Sequence, residues 1–144
     1  MQLKVIIDET QKEEIIIRAH SESPLVKEIQ KLVSQNNLEL VGYKNSQAVL
    51  LNLLEVNCFI CESNKIYALT DEKLNIKLRL YQIEEKLDDN FIKINQSCIA
   101  NIKQIERVQA TFSGSMAVIF KNGYTDYISR RNLKKVKERI GVKL

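Results

Sequence analysis

The amino-acid sequence predicts a mainly β protein, α+β overall, built from many short strands, tight turns and a few short helices. Three observations carry that reading. Short apolar and β-branched runs such as Val56–Cys61, Ile66–Thr70 and Met116–Phe120 recur along the chain and end in polar residues. The residues between them, Lys44-Asn45-Ser46, Glu62-Ser63-Asn64-Lys65 and Asn122-Gly123, are of turn type. Helical spacing of apolar residues is confined to three short stretches. A chain of 144 residues and 16.7 kDa has room for one domain with a short arm.

Leu3–Asp8 and Glu14–Ala19 are Ile- and Val-rich runs around Glu9-Thr10-Gln11-Lys12-Glu13, which predicts a hairpin. Ser23-Pro24 reads as a helix start, a capping hydroxyl before a proline at the first helical position. Leu25, Val26, Ile29, Leu32 and Val33 follow at helical spacing, until Gln35-Asn36-Asn37 ends the run. Residues 1–36 are therefore expected to form a β-β-α arm, and residues 38–144 a β domain. In that domain Leu38–Tyr43, Gln47–Leu51, Val56–Cys61, Ile66–Thr70 and Leu74–Lys77 read as strands. Leu80, Ile83 and Leu87 mark a short helix stopped by Asp88-Asp89-Asn90. Strands resume at Phe91–Ile94, Ile105–Ala110, Met116–Phe120 and Tyr124–Ile128, with a type I′ turn expected at Asn122-Gly123. Ser129 is expected to cap a last helix with Leu133, Val136 and Ile140 inward and Gly141 past its end.

Composition excludes several classes. At 44% hydrophobic and 28% charged the chain is ordinary globular material, and its apolar runs are too short to span a membrane. Met1–Asp8 has no secretory pattern, and three cysteines make no disulfide framework, so a soluble, cytoplasmic protein is expected. The charge is unevenly spread. Residues 1–72 hold seven Lys/Arg against eleven Asp/Glu, and residues 73–144 hold fifteen against seven. A basic half on an acidic one suits a polyanionic partner.

Catalysis has little to work with. His20, the one histidine, stands in the arm with no nucleophile pattern around it. Cys58-Phe59-Ile60-Cys61 has CxxC spacing, but in a strand those positions face opposite ways, and no second Cys/His pair follows. Asp88-Asp89 is more simply a helix stop, and the four glycines are not spaced as a phosphate loop. No enzyme activity, metal or cofactor is expected. Binding chemistry is better represented. Lys93, Asn95, Gln96, Ser97 and Asn101 lie in and after one strand end, and Arg130, Arg131, Asn132, Lys134 and Lys135 cluster at a strand-to-helix junction. Lys and Ser suit phosphate, Asn and Gln can read an adenine edge, and Arg can read guanine.

These features come in a recognisable order. Phe91-Ile92-Lys93-Ile94-Asn95-Gln96-Ser97, with Ala100-Asn101-Ile102, matches a signature of phenylalanine, a hydrophobic residue, a base, a hydrophobic residue and a serine. Phe120-Lys121-Asn122-Gly123 and Ile128-Ser129-Arg130-Arg131 follow before the last helix, and Leu78–Leu87 precedes the first signature. From Leu38 to Ile140 the sequence thereby resembles the LytTR DNA-binding family of bacterial transcription regulators. The resemblance implies a mostly antiparallel β fold of about ten strands, whose loops rather than a recognition helix enter successive major grooves. Carried over by position, it implies that Gln96 and Arg131 read bases. It implies a third contact loop at Asn64 or Lys65. Lys93, Asn95, Ser97, Asn101, Arg130, Asn132, Lys134 and Lys135 would contact the DNA backbone. The implied target is double-stranded promoter DNA with direct repeats, bound by a dimer or by paired monomers.

Two other functions compete. The acidic arm could make the chain a protein-interaction module, with the basic half merely solubilising. An RNA-binding β domain is the other rival, but such modules stack bases on sheet aromatics, and here the aromatics fall at core-like positions. Salt-dependent, sequence-selective duplex binding separates the first reading from both.

Overall fold

Pro24–Asn36 forms the first helix (α1), with the Val26 amide donating to Ser23 Oγ at 3.3 Å as the Ser-Pro start requires. The computed structural model describes residues 2–12, 14–36 and 40–143. Ahead of α1 the expected hairpin has only its turn. Asp8 accepts from the Thr10 amide and hydroxyl at 3.0 and 2.7 Å, which also holds its carboxyl below the usual range. The described residues of 2–19 contain no strand, and Leu3 and Ile7 are 91% and 89% exposed. Local β propensity is not enough there, because a two-stranded ribbon without a face to pack on is marginal in water. On α1, Val26 is buried and Ile29 and Val33 are half-buried, whereas Leu25 and Leu32 face solvent.

Five strands follow: β1 (Val41–Lys44), β2 (Gln47–Leu50), β3 (Cys58–Glu62), β4 (Lys65–Leu69) and β5 (Lys73–Ile76). Lys44 pairs with Gln47 and Glu62 with Lys65, so each hairpin closes over two residues. All four central residues, Asn45, Ser46, Ser63 and Asn64, have positive φ, the type I′ geometry that matches strand twist. Helix α2 (Leu80–Lys86) buries Leu80 and Ile83. Then come β6 (Phe91–Asn95), β7 (Cys98–Asn101), β8 (Ile105–Ala110), β9 (Met116–Phe120), β10 (Thr125–Ile128) and α3 (Leu133–Ile140). β7 is a strand that the residue pattern did not announce. It is buried along its whole length, so it shows no alternation.

The strands make two antiparallel sheets, a seven-stranded one in the order β2-β1-β5-β4-β3-β7-β6 and a three-stranded one in the order β10-β9-β8. The large sheet is covered on both faces. One face packs Cys58, Ile60, Ile92, Ile94 and Cys98 against Met116, Val118, Phe120 and Ile128 of the small sheet and Val136 of α3. The other packs Phe59, Ala68, Ile76 and Ile99 against Leu40, Val56 and the α2 residues Leu80 and Ile83. Cys58 and Cys61 accordingly belong to different cores, as alternation in a strand demands. Gly42 of β1 is a packing glycine: a Cβ there would lie 2.7 Å from that of Leu74.

Two local expectations are corrected. The Asn122-Gly123 turn is not type I′, since only Gly123 has positive φ, and its amide closes on Phe120 O at 2.9 Å. Asn122 is held instead from outside: its amide donates to Asn57 Oδ1 at 3.3 Å and its side chain to Thr70 O at 3.2 Å. Ser129 does not cap α3, whose N-cap is Asn132. Ser129 opens a separate turn, accepting from the Asn132 amide at 3.0 Å, so both arginines precede the helix. Gly141 ends α3 in the left-handed region, as expected. No described helix is long and apolar enough to cross a membrane.

Candidate nucleic-acid interface

Strand register decides which turns share an end of the molecule. The Cys61 amide donates to Ser97 O at 2.8 Å, which sets the Ser63–Asn64 turn beside the Gln96–Ser97 turn. The Ser129 amide donates to Ile94 O at 2.9 Å, which brings residues 129–132 to the other side of it. Ala110 pairs with Met116 and Met116 with Ile128, so the 111–115 loop lies at this end too. Opposite are the Asn45–Ser46 and Lys121–Gly123 turns, tied to the Thr70–Glu72 segment through Lys44 and Asn122.

The first end gathers most of the expected contact residues. Asn64, Lys65, Gln96, Ser97, Arg130, Arg131, Lys134 and Lys135 are all exposed, and Asn132 is half-buried. Lys65, Arg130, Arg131 and Lys134 make this end cationic, whereas Lys135 lines a cleft with Lys93, Asp88 and Asp89 on the α2 side. The neighbouring acids are engaged: Glu62 pairs with Lys73 at 3.2 Å, and Asp126 accepts from Asn95 and Tyr124. Exposed guanidinium and ammonium groups on short turns can reach phosphate and groove edges with little desolvation cost. Lys93 is half-buried and stands apart, 4.0 Å from Glu84 of α2.

Two expected backbone contacts have their side chains in internal hydrogen bonds. Asn101, 3% exposed, ends β7 away from the Gln96 turn and donates to Val56 O at 2.8 Å. Its Oδ1 accepts from the Lys103 amide at 3.1 Å, capping the 3-10 turn Ile102–Gln104. Asn95 is likewise spent internally, on Asp126 Oδ1 (2.9 Å), Tyr127 O (2.7 Å) and the Ser97 amide (2.8 Å). An asparagine suits a groove edge and a backbone clamp equally, and only the fold decides between them.

Two features were missed from sequence. Phe112 tips the 111–115 loop at 114% exposure, above the bonded hydroxyls of Thr111, Ser113 and Ser115. Its one signal is a lone aromatic in a Thr-Ser-Gly-Ser setting. The other is the polar junction behind the turns. Tyr124 donates to Asp126 Oδ2 at 2.9 Å, and burial first, then that bond, pushes its phenol far above the ordinary range, so it stays a donor. Cys98 sits beneath, fully buried, its thiol pushed up chiefly by the adjacent Cys58 and by burial.

The fold and this end together define a β domain of two packed antiparallel sheets with exposed basic turns at one end. The chain belongs to the LytTR family: residues 46–141 match the family model described as the LytTr DNA-binding domain. It is similar to an uncharacterized HTH-type transcriptional regulator of Staphylococcus aureus strain COL, 35% identical over 104 residues. That match covers 72% of this chain and 71% of the relative. A counterpart from the bovine strain RF122 is 34% identical over the same length and shares. Among solved structures, a LytTr DNA-binding domain from Bacillus cereus superposes with a TM-score of 0.67 at 17% identity. It covers 74% of this chain and all of that one, and shows the shared fold.

Proposed function

We propose that this protein is a sequence-specific transcription regulator that sets the Gln96 and Arg131 turns into successive major grooves of promoter DNA. The observation that carries the reading is the convergence of the Ser63–Asn64, Gln96–Ser97 and Arg130–Arg131 turns on one cationic end. Gln96 and Arg131 read bases, and Asn64 or Lys65 supplies the third contact. Ser97, Arg130, Asn132, Lys134 and Lys135 bind phosphates, with Lys93 at the margin. Asn95 and Asn101 are left out of the contact set, because their side chains are occupied. The name HTH-type borne by the relatives does not carry over to the reading mode, since residues 46–141 are mainly strands and turns. The protein acts in the cytoplasm, without a cofactor and not as an enzyme.

Selection of bound duplexes from a random pool is the test. Recovered fragments should share a motif repeated in direct orientation, and three or four cationic phosphate contacts, Arg130, Lys134 and Lys135 with Lys93, should give a log–log salt slope of roughly −3 to −4 for each bound copy. A pool that returns no motif, or tighter binding to single-stranded RNA, would defeat the reading.

The arm, residues 1–36, has a separate part in this proposal: it packs on the β domain or on a second copy of the chain rather than touching DNA. Leu3, Val5, Ile6, Ile7, Ile15 and Ile16 are exposed, and Ile15, Ile17, Ile29 and Val33 line a cleft of about 870 Å³ against Asp88–Asn90. A truncation starting at Leu38 should lose dimerisation or stability and keep its affinity for a half-site. Sedimentation together with half-site titration checks this, and lost half-site binding with oligomeric state intact would contradict it.

A further inference from the structure

We infer that Asn95 is a positioning residue that locks the two base-reading turns into one fixed spacing; the inference rests on the reading given under Proposed function. Pairing between β6 and β7 shifts register between Lys93 and Asn95, a β-bulge next to the Gln96–Ser97 turn. Bulges of this kind re-aim a side chain. Lys93 lies on the α2 side of the sheet, near Glu84, whereas the Asn95 side chain reaches the small sheet.

There its amide is fully employed. Oδ1 accepts from the Ser97 amide and so shapes the turn that carries Gln96. Nδ2 donates to Asp126 Oδ1 and Tyr127 O on β10, the strand leading to Arg130 and Arg131. Asp126 is held in turn by the Tyr124 hydroxyl at 2.9 Å and by the Tyr127 amide at 2.8 Å. The backbone bond from Ser129 to Ile94 O runs alongside. One side chain thus shapes the first turn and grips the strand that aims the second. Two loops that must meet edges in different grooves need their separation fixed to a fraction of a base-pair step, and pre-organisation of this kind lowers the ordering cost of binding.

The test compares the full-length chain with Asn95→Ala and Asn95→Asp. Asn95→Asp keeps the acceptor for Ser97 but sets oxygen against Asp126 and the Tyr127 carbonyl with no proton between them. Amide relaxation by NMR, without DNA, is the first readout. Order should fall together at Gln96–Ser97 and at Ser129–Arg131 in both variants. Loosening confined to Gln96–Ser97 would overturn the inference. Duplex titration is the second readout. Each single variant should lose discrimination at both the Gln96 and the Arg131 base positions, by about tenfold, while affinity for unrelated duplex stays unchanged. Loss at one base position alone, as from a direct contact, would also overturn it. A wild-type chain without base preference would defeat the functional reading, and the relaxation readout would still decide the coupling.

Discussion

Replacing Phe120 by alanine should lower the stability of the β domain by about 3–5 kcal/mol, the usual cost of emptying a buried aromatic site. Phe120 is fully buried between the two sheets, among Cys58, Ile92, Val118 and Val136. Its ring stacks on Tyr124 with centroids 6.0 Å apart. Its backbone also closes the last hairpin, donating to Tyr124 O and accepting from the Gly123 amide, both at 2.9 Å. The truncation therefore removes apolar contact and loosens the seat of Tyr124, the residue that braces Asp126. Urea unfolding should show a lower midpoint with an unchanged slope. Phe112→Ala is the control, because that ring is wholly exposed and should change stability by less than about 0.5 kcal/mol. A loss for Phe120→Ala as small as the control's would mean that the small sheet does not pack on the large one as described.

What could be read from sequence was whatever is decided locally. The turns at Asn45–Ser46 and Ser63–Asn64, the Ser-Pro start of α1 and the glycine closing α3 depend on a few adjacent residues. What escaped depends on partners far along the chain. β7 is covered on both faces, so it lacks alternation, and it reads as the tail of a binding loop. The arm has strand-like runs, but strands need a face to pack on, and Leu3 and Ile7 have none. Asn122-Gly123 has hairpin composition, yet its shape is set by Asn57 and Thr70, more than fifty residues earlier. The site divides the same way. Gln96 and Arg131 sit on turns that sequence locates. Whether Asn95 and Asn101 face outward depends on β10 and on the segment around Val56, which no local pattern reveals.

Arg131→Ala should cost about 1–3 kcal/mol on the preferred duplex and flatten the preference at one base position. Arg131 is exposed in the turn after β10, and a guanidinium there can donate two bonds to guanine O6 and N7. Lys134, one residue into α3 and also exposed, offers a point charge without a fork. Lys134→Ala should therefore weaken all duplexes alike and reduce the salt slope by about one unit. Gln96→Ala should behave like Arg131→Ala but at a different base position, because its turn joins β6 to β7. The distinction matters because phosphate contacts alone would give the same cationic end without any choice of sequence. Each variant is titrated against single-base-substituted duplexes at several salt concentrations. Uniform weakening by Arg131→Ala and Gln96→Ala, with every base preference intact, would remove both residues from base reading and leave the turns an electrostatic role only.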